Sequence, residues 1–497
     1  MRFWGYFMLI ALKRVVVLVL ACGACQFAHS QKTPAVSAET QQHIKDVEAG
    51  LRPSVILKDD PHPTHSLSER MTALHIPGVS IAVIHHGAIE WAQGFGVMSV
   101  GGSPVTAQTL FQAGSISKPL AAMAALHQVQ LGKLSLDADV NTVLTSWKLP
   151  DAPIAGGKTV TLRELLTHTG GTTVHGFPGY ASDAPVPSLV QVLNGEKPAN
   201  TPAIRIEAPP GNHWNYSGGG YTIMQQILID VTKEPFPKLL HDTVLAPIGM
   251  THSTYQQPLP VDMRAMAATP YEANGKPVPG GAHTYPEMAA AGLWTTPADL
   301  ARYLIEVQRS LKGEANHVLS QQMTKEMLTK GMGDFGLGLA IGGSATNPYF
   351  GHGGVNEGFE CTMSAYEQGG EGAVVMTNAQ GGSRLADEVM RSIAAAYHWP
   401  DFQPKVRAVV TVDPKILASY TGTYELTPTF SIVVTVEDGH LVTQGSGQGK
   451  VPMLAESETK FFPTGFDAEL EFYKDELGHV SYAILRQNGH ETKALKK

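Results

Sequence analysis

The chain of 497 residues exceeds the usual size of one hydrophobic core, so we expect at least two domains. Hydrophobic residues make up 43% and charged residues 16%, a composition typical of globular proteins. The net charge is −8 and no run of lysine and arginine alternates with aromatic residues, which disfavours nucleic acid as a partner.

The first thirty residues have the features of an export signal. Lys13 and Arg14 precede VVVLVLACGAC, an apolar run too short to span a bilayer. Ala28 and Ser30 occupy the small-residue positions of a signal-peptidase site, so we expect cleavage near Ser30 and a periplasmic or secreted protein. The alternatives are retention of this segment as a membrane anchor and lipidation of Cys22. No membrane span is expected in the mature chain.

The next segments contain histidines without a metal-ligand pattern. ILKDDPHPTHS is rich in proline, and the spacing of its polar side chains fits no standard site, so we expect a solvated loop. His85 and His86 separate two apolar runs, which predicts the turn of a β-hairpin. Cys361 lies in the strand-like FECTMSAY and would be the only cysteine left after signal removal, which predicts a buried thiol.

Helical patterns then alternate with strands over long distances. Helices are predicted at 115–131, 161–167, 220–232 and 297–311, and strands return at 359–378. Because strands stand at both ends of this region, we expect a sheet assembled from distant segments, with helices packed on it and a mostly helical insertion.

The composition changes near residue 405. Short strands follow, with an Asp-Gly turn at 438–439 and an Asn-Gly turn at 488–489, which predicts a small all-β barrel or sandwich. We therefore divide the chain into a signal peptide (1–30), a main domain (31–404) and a β-barrel domain (405–497).

A serine and a lysine stand together at the start of the first long helix, AGSISKPLAAMAAL. Residues three apart, such as Ser115 and Lys118, lie within roughly 60° of each other around a helix, whereas Ser117 points about 160° away from Ser115. Gly114 allows a sharp entry, so the Ser115 N–H and the helix dipole can favour an oxyanion. Burial would drive Lys118 towards the neutral amine, which can accept the proton of the serine. The alternative is a structural lysine.

Two later stretches could complete a catalytic site. PGNHWNYSGGGY places Tyr216 before a helix, and near a cationic Lys118 we expect a lowered pKa for its phenol and a role in proton relay. FGHGGVNEGF places His352 before Gly353 and Gly354, which would let a substrate lie against a strand edge. The alternatives are a packed aromatic residue and a tight turn with an exposed histidine.

Ser-x-x-Lys at 115–118, Tyr-Ser-Gly at 216–218 and His-Gly-Gly at 352–354 resemble, in this order, the three motifs of serine β-lactamases and penicillin-binding proteins. The chain is most similar to the class C β-lactamase-related group, which includes D-peptidases and esterases, over about residues 68 to 400. The resemblance implies an α/β fold, with an antiparallel sheet flanked by helices and a helical subdomain. The tail resembles the small lipocalin-like barrel found after such enzymes.

The resemblance also implies roles for particular residues. Ser115 would be the acylated nucleophile, Lys118 its activator and Tyr216 the general acid/base. The backbone N–H groups of Ser115 and Val355 would form the oxyanion hole.

Two departures from the family motifs bear on the substrate. His352, which with Gly353 and Gly354 would contact substrate, replaces a lysine that holds the substrate carboxylate in classical β-lactamases. Gly218, also at the substrate, replaces an asparagine that commonly contacts the acyl amide. Both changes disfavour efficient β-lactam hydrolysis, because neutral histidine holds a carboxylate poorly and glycine has no side-chain donor. His168 in LLTHTGG is interpreted as structural, capping the adjoining turn.

We therefore expect an exported serine hydrolase that forms an acyl-enzyme at Ser115 and cleaves a small-molecule or peptide substrate. A D-amino-acid peptidase or esterase is the leading interpretation. The alternatives are a class C type β-lactamase, a β-lactam-binding sensor and a non-catalytic scaffold. No metal or other cofactor is expected, and the barrel is a candidate for shaping the active-site entrance or for forming a homo-oligomer.

Overall fold

The computed structural model describes residues 37–60, 64–487 and 490–497. The predicted signal peptide, with Cys22, and the predicted turn at 488–489 lie outside the described residues. In the described residues, the α-helices are α1 (Ala38–Ala49), α2 (Leu67–Ala73), α3 (Ser117–Gln130), α4 (Leu162–Leu166), α5 (Leu189–Asn194), α6 (Gly218–Thr232), α7 (Phe236–Leu240), α8 (Ala246–Ile248), α9 (Met288–Ala291), α10 (Pro297–Lys312), α11 (Gln321–Met327), α12 (Gly382–Ala396) and α13 (Pro414–Ser419).

The β-strands of the described residues are β1 (Val55–Leu57), β2 (Gly78–His85), β3 (Ala88–Gly96), β4 (Phe111–Gln112), β5 (Trp294–Thr295), β6 (Ala340–Gly343), β7 (Pro348–Asn356), β8 (Phe359–Tyr366), β9 (Gly372–Thr377), β10 (Lys405–Arg407), β11 (Gly422–Thr427), β12 (Phe430–Glu437), β13 (His440–Gly445), β14 (Lys450–Ala455), β15 (Lys460–Phe462), β16 (Ala468–Lys474), β17 (Val480–Gln487) and β18 (His490–Lys496). None of the described helices is both long enough and apolar enough to cross a bilayer.

A six-stranded antiparallel sheet with the order β3-β2-β9-β8-β7-β6 forms the centre of the main domain. β2 is a nearly continuous apolar run because both of its faces are covered. Val79, Ile81 and Val83 pack with α1, α2 and α12, whereas Ala82 and Ile84 belong to the core that contains α3, α6 and α10. This architecture confirms the predicted α/β fold with an antiparallel sheet flanked by helices, and α4 to α9 form the helical insertion.

The hairpin predicted around His85 and His86 is present. β2 and β3 pair in antiparallel register, with His85 opposite Ala88. His86 and Gly87 both have positive φ angles, 53° and 76°, as a tight two-residue hairpin turn requires. The turn therefore accounts for the glycine that follows the two histidines.

A closed barrel of eight antiparallel strands, β11 to β18 in sequential order, forms the C-terminal domain. Inward-facing side chains such as Tyr424, Leu441 and Phe472 fill it. The predicted all-β tail is confirmed, and of the two predicted architectures it is a barrel and not a sandwich. Its likeness to lipocalins stays a prediction. β10 pairs in parallel with β1, which ties the chain entering the barrel to the main domain.

A buried ion pair joins α2 to α12 beneath the sheet. Arg70 donates from Nε and Nη2 to the two carboxylate oxygens of Glu388, at 2.6 and 2.8 Å. The Glu388 side chain is only 3% exposed, and Arg384 lies further away, at 3.5 Å. Removal of Arg70 would therefore leave a poorly compensated carboxylate inside the protein.

We expect Arg70→Ala to lower the free energy of unfolding by about 3 kcal/mol, the usual cost of breaking a buried ion pair. Urea denaturation of the main domain measures this loss. Arg309→Gln is the matched control, since Arg309 is exposed and forms no ion pair with any described residue; it should change stability by less than about 0.5 kcal/mol. Equal losses in both variants would contradict a special contribution of this ion pair.

Candidate active site

The segment that carries Ser115 is held against β7 by close backbone contacts. Gly114 has a positive φ of 52°, and a Cβ atom on it would lie 2.6 Å from the backbone nitrogen of Val355. A Cβ atom on Gly354 would lie 1.9 Å from the carbonyl oxygen of Ala113. Glycine at both positions is therefore required for the Ser115 turn to approach the strand.

The two serines before Lys118 have different environments. Ser117 is fully buried, donates from Oγ to the Gly114 carbonyl oxygen at 2.6 Å and accepts the Leu293 N–H at 3.0 Å. The first hydrogen bond stabilises the turn at Gly114, and the second holds the backbone at Leu293 against this turn. Ser115 lies in the preceding 3₁₀ turn and faces a cavity, so Ser115 is the serine whose hydroxyl a ligand can reach.

Lys118 lies beside Ser115, as the helical spacing predicts. Its Nζ donates to Ser115 Oγ at 3.0 Å and to the Ala290 carbonyl oxygen at 2.8 Å. The side chain is 2% exposed, and Nζ lies 5.0 Å from the centre of the Tyr216 ring and 5.6 Å from that of Tyr221. Burial lowers the pKa of Lys118 to about 7, so a large fraction of neutral amine is present near neutral pH.

The backbone N–H of Val355 points towards the Ser115 turn. Asn356 and Phe359 flank a two-residue turn and form the first hydrogen-bonded pair of the β7–β8 hairpin, so the next pair, Val355 and Glu360, is not hydrogen-bonded. β6 pairs with β7 only as far as Gly351, which leaves the strand edge open at Val355. This arrangement is compatible with the predicted oxyanion hole.

Tyr216 lies against Ser115, but its pKa is shifted in the direction opposite to the prediction. Burial raises the pKa of the phenol well above its usual value, and its hydrogen bond with Ser115 opposes the rise only in part. The predicted lowering is wrong because it assumed a cationic Lys118, whereas burial drives that lysine towards neutrality as well. Tyr216 is therefore a protonated phenol at neutral pH and can donate a proton.

His168 is buried beneath Tyr216, and its contacts support the structural interpretation. Its Nδ1 accepts the Ser217 N–H at 3.1 Å, and its carbonyl oxygen accepts the Asn215 N–H at 2.8 Å. The ring centres of His168 and Tyr216 are 4.1 Å apart. The segment that His168 holds is thus 215–217, rather than the adjoining turn that the sequence indicated.

His352 is a neutral, buried imidazole. Its Nδ1 lies 2.5 Å from the Gly353 carbonyl oxygen, which makes Nδ1 the donor and leaves Nε2 without a proton. Nε2 is buried and forms no hydrogen bond with any described residue. Burial, followed by the nearby Lys118, lowers the pKa of His352 to about 4. In this state the imidazole offers no charge and no free N–H to a substrate carboxylate.

These residues line a cavity of about 360 Å³. Lys118 lies behind Ser115 rather than in the wall, and Gly218 does not reach the cavity either, because it is buried against the ring of Phe177. Ser383 and Asp387, both on α12, were not predicted as site residues, since an exposed polar helix face carries no motif. The described residues lining the cavity are Ser115, Tyr216, His352, Gly353, Gly354, Val355, Cys361, Thr362, Ser383 and Asp387.

Cys361 is buried, as predicted, and contributes to the position of the segment that carries Ser115. Its thiol donates to the Ala113 carbonyl oxygen at 3.1 Å, two residues before Ser115. Burial raises the pKa of this thiol far above its usual value, so it is an unreactive group in the cavity wall.

A second, larger cavity of about 890 Å³ lies between α1, α2 and the end of β3. Its described lining is mostly apolar and includes none of the predicted site residues. Cavity volume alone therefore does not locate the predicted site, because the smaller cavity is the one that contains Ser115.

One group of described residues has side chains close enough to hold a metal ion. The ligand atoms of His85, His86 and Glu371 lie within 4.8 Å of one another. The group is remote from Ser115, because Gly354 is in register with Ser80 through β8 and β9, and His85 lies at the far end of β2. Any ion held there would not contact a substrate at Ser115.

The sheet, the helical insertion and the serine–lysine pair define a fold and site of the serine β-lactamase type. Residues 65–398 match the beta-lactamase family model, and the chain belongs to this family. Residues 406–495 match a domain of unknown function, DUF3471.

Individual relatives extend this comparison. The putative penicillin-binding protein PbpX of Bacillus subtilis strain 168 is 26% identical over 364 residues, which cover 72% of this chain and 84% of that protein. The octameric penicillin-binding protein homologue from Pyrococcus abyssi has a TM-score of 0.59 at 22% identity, over 86% of this chain and 98% of that chain.

A D-amino acid amidase from Ochrobactrum anthropi SV3, in complex with L-phenylalanine amide, has a TM-score of 0.52 at 21% identity, over 67% of this chain and 97% of that chain. At these identities the two structures show a shared fold.

Because the Ser115 turn contacts β7 closely, we expect alanine substitutions at the adjacent Gly353 and Gly354 to differ in their effect on stability. Gly354→Ala should destabilise the protein by about 1–3 kcal/mol, because the new methyl group overlaps the Ala113 carbonyl and must force the turn and the strand apart. Gly353→Ala is the matched control, since a Cβ atom there would lie 3.8 Å from the nearest atom, the Cys361 carbonyl oxygen, which is an ordinary van der Waals contact. Thermal unfolding of both variants measures the difference, and equal melting temperatures would refute it.

Proposed function

We propose that this protein is a serine hydrolase that cleaves an amide or ester bond through an acyl-enzyme on Ser115. The observation that carries the proposal is the 3.0 Å hydrogen bond between Lys118 and Ser115, in surroundings that lower the pKa of the lysine to about 7. A neutral amine in contact with a hydroxyl can accept its proton and activate it for attack.

In the first step, Ser115 Oγ attacks the substrate carbonyl carbon while its proton moves to the neutral Nζ of Lys118. The carbonyl oxygen becomes an oxyanion, which the N–H groups of Ser115 and Val355 stabilise. Tyr216 donates its phenolic proton to the leaving nitrogen or oxygen as the scissile bond breaks. Lys118 then passes the proton that it took from the serine to Tyr216. Ser115 now carries the acyl group as an ester, and Lys118 and Tyr216 are back in their initial protonation states.

In the second step, water attacks the Ser115 ester. One proton of the water passes to the lysine–tyrosine pair as the tetrahedral intermediate forms, and it returns to Ser115 Oγ when the acyl group leaves. The net reaction consumes one water and releases a carboxylic acid and an amine or alcohol. No redox partner is required.

We propose a peptide or amide with a D-residue, or an ester, as the substrate. The fold shared with a D-amino acid amidase supports this class. The neutral His352 disfavours efficient β-lactam turnover, because the cavity lacks the cation that would hold the carboxylate of a β-lactam. A β-lactam-binding sensor differs in its kinetics, and slow release of the acyl group after a burst would favour that alternative.

Export and assembly also belong to the proposal. The basic and apolar residues before Ser30 support secretion, which fractionation and N-terminal sequencing of the mature protein would test. Self-association is suggested by the octameric homologue from Pyrococcus abyssi, and light scattering of the purified chain measures it.

A fluorophosphonate or fluorescent penicillin probe should label Ser115 in the native protein. Ser115→Ala should abolish labelling, because the reacting oxygen is removed. Ser457→Ala is the matched control, since Ser457 and Lys460 have the same spacing, but Ser457 Oγ lies between β14 and β15 of the barrel, where it accepts the N–H groups of Thr459 and Lys460 and contacts Thr459 Oγ1. If the native protein is labelled no more strongly than Ser115→Ala, the proposal of an acyl-enzyme on Ser115 is refuted.

The rate of probe acylation should rise with pH and level off as the pH passes through about 7. Protonated Lys118 cannot accept the serine proton, so the reactive fraction grows as the pH exceeds its pKa. His352, with a pKa of about 4, stays neutral across this range and adds no inflection. Lys118→Arg should be slow at every pH because guanidinium keeps its proton. A native profile that is flat or falls from about pH 5 to about pH 9 would contradict the role of Lys118.

A further inference from the structure

Asp387 places an unpaired carboxylate in the wall of the Ser115 cavity. It lies on α12, one turn after Ser383, and both side chains are exposed to the cavity. Asp387 forms no hydrogen bond or ion pair with any described residue, whereas the adjacent Glu388 points away and pairs with Arg70. Surrounding protein raises the pKa of the Asp387 carboxyl, and Arg391 opposes this rise.

The charge of this cavity is unsuited to a carboxylate next to the scissile bond. Among the described residues that line it, Asp387 is the one with a formally charged side chain, and His352 is neutral. Lys118 lies behind Ser115 and is bound to the serine and to a backbone carbonyl. A leaving group that is a single amino acid would bring its carboxylate close to Asp387, where like charges repel.

The cavity continues along α12 towards the barrel. A smaller cavity of about 180 Å³, called the α12 cavity, shares Thr362 and Asp387 with the Ser115 cavity. Its wall includes Arg391, one helical turn beyond Asp387, and ends at Lys405 and Asp467, which form an ion pair at 2.8 Å. The two cavities adjoin, because Thr362 and Asp387 line both of them, and together they are called the groove below.

Arg391 offers unused hydrogen-bond donors in this groove. Its Nε donates to the Arg52 carbonyl oxygen at 2.8 Å, which fixes the side chain. The terminal nitrogens form no hydrogen bond or ion pair with any described residue, although the guanidinium interacts electrostatically with Asp387, Glu388 and Asp467. A guanidinium with free terminal N–H groups is a typical partner for a carboxylate.

We propose that the groove from Ser115 past Asp387 to Arg391 binds the leaving group, and that the substrate is a peptide with at least two residues after the scissile bond and a free C-terminal carboxylate. The carboxylate binds Arg391. Four helical residues separate Asp387 from Arg391, a rise of about 6 Å. A second peptide residue moves the carboxylate about 3.3–3.6 Å further along the groove, away from Asp387 and towards Arg391. The proposal rests on the proposed hydrolase function of Ser115 and adds the length and charge of the leaving group.

The barrel takes part in this groove through Asp467, which precedes β16. Asp467 lies 2.8 Å from Lys405 and 3.7 Å from Arg407, and it also interacts electrostatically with Arg391. Of the two cations among the described residues of the α12 cavity, Arg391 is the one that forms no ion pair with a described residue. The C-terminal domain would therefore limit the length of the leaving group.

Four peptides test the proposal in the full-length protein. Each has an N-acetyl-D-alanyl group before the scissile bond, followed by one or two D-alanines that end in either a carboxylate or a carboxamide. We expect kcat/KM for the longer peptide to be about tenfold higher with the carboxylate than with the carboxamide, and the preference to reverse for the shorter peptide.

Two variants separate the contributions of the charges. Arg391→Gln should reduce the carboxylate-to-carboxamide ratio of the longer peptide to about one, because the charged donor is lost. Asp387→Asn should raise this ratio for the shorter peptide about tenfold, because the repulsion is removed. Arg309→Gln and Asp151→Asn, charge-matched changes at exposed residues outside the groove, should keep both native ratios. Ratios within one variant cancel any change in the amount of folded enzyme.

Hydrolysis of a p-nitrophenyl ester distinguishes the two proposals. A protein that hydrolyses the ester through Ser115 but shows no difference between carboxylate and carboxamide, or cleaves none of the peptides, overturns the groove assignment alone. Native ratios in Arg391→Gln overturn it as well. A protein whose Ser115 is neither labelled nor active on the ester overturns the proposed function, and the groove assignment with it.

Discussion

The amino group of Lys118 is buried where a positive charge is poorly solvated, and the packing of the surrounding elements holds it in this position. The apolar side chains of α3 remove water from it, and the Ala290 carbonyl oxygen and Ser115 Oγ are its hydrogen-bond partners. Desolvation by itself accounts for its lowered pKa. A less complete core around α3 would rehydrate the lysine, and the hydroxyl beside it would lose its base.

The same burial determines the charge state of the neighbouring groups. Tyr216 keeps its proton, and His352 loses its own, so three titratable side chains around Ser115 approach neutrality together. A site without a strong cation is able to polarise a carbonyl through backbone N–H groups but does not attract an anionic ligand. The charged side chains that would distinguish one ligand from another therefore lie further along α12. They are Asp387 and Arg391, which line the cavities and form no ion pair with a described residue.

Local spacing was sufficient to predict the serine–lysine pair, because three residues along a helix determine the relative direction of two side chains. The barrel followed from short strands and tight turns, although its closure depends on the pairing of β11 with β18, which no local pattern shows. The pKa of Tyr216 was predicted with the wrong sign, because desolvation depends on packing from distant segments such as His168 and Phe335. Asp387 and Arg391 could not be found, because their significance arises only where α12 meets the cavity.

The contact between Gly354 and the Ala113 carbonyl has a consequence for how such a site can change over time. Ser115 takes its position from the path of the main chain, which Gly114 and Gly354 allow to lie directly against the edge of β7. Cys361 supports this path through its hydrogen bond to the Ala113 carbonyl oxygen, but wall side chains that do not contact this segment are not needed to locate it. Substitutions there can alter which molecule is accepted while the reacting oxygen stays in place, so a new specificity can arise without rebuilding the catalytic geometry.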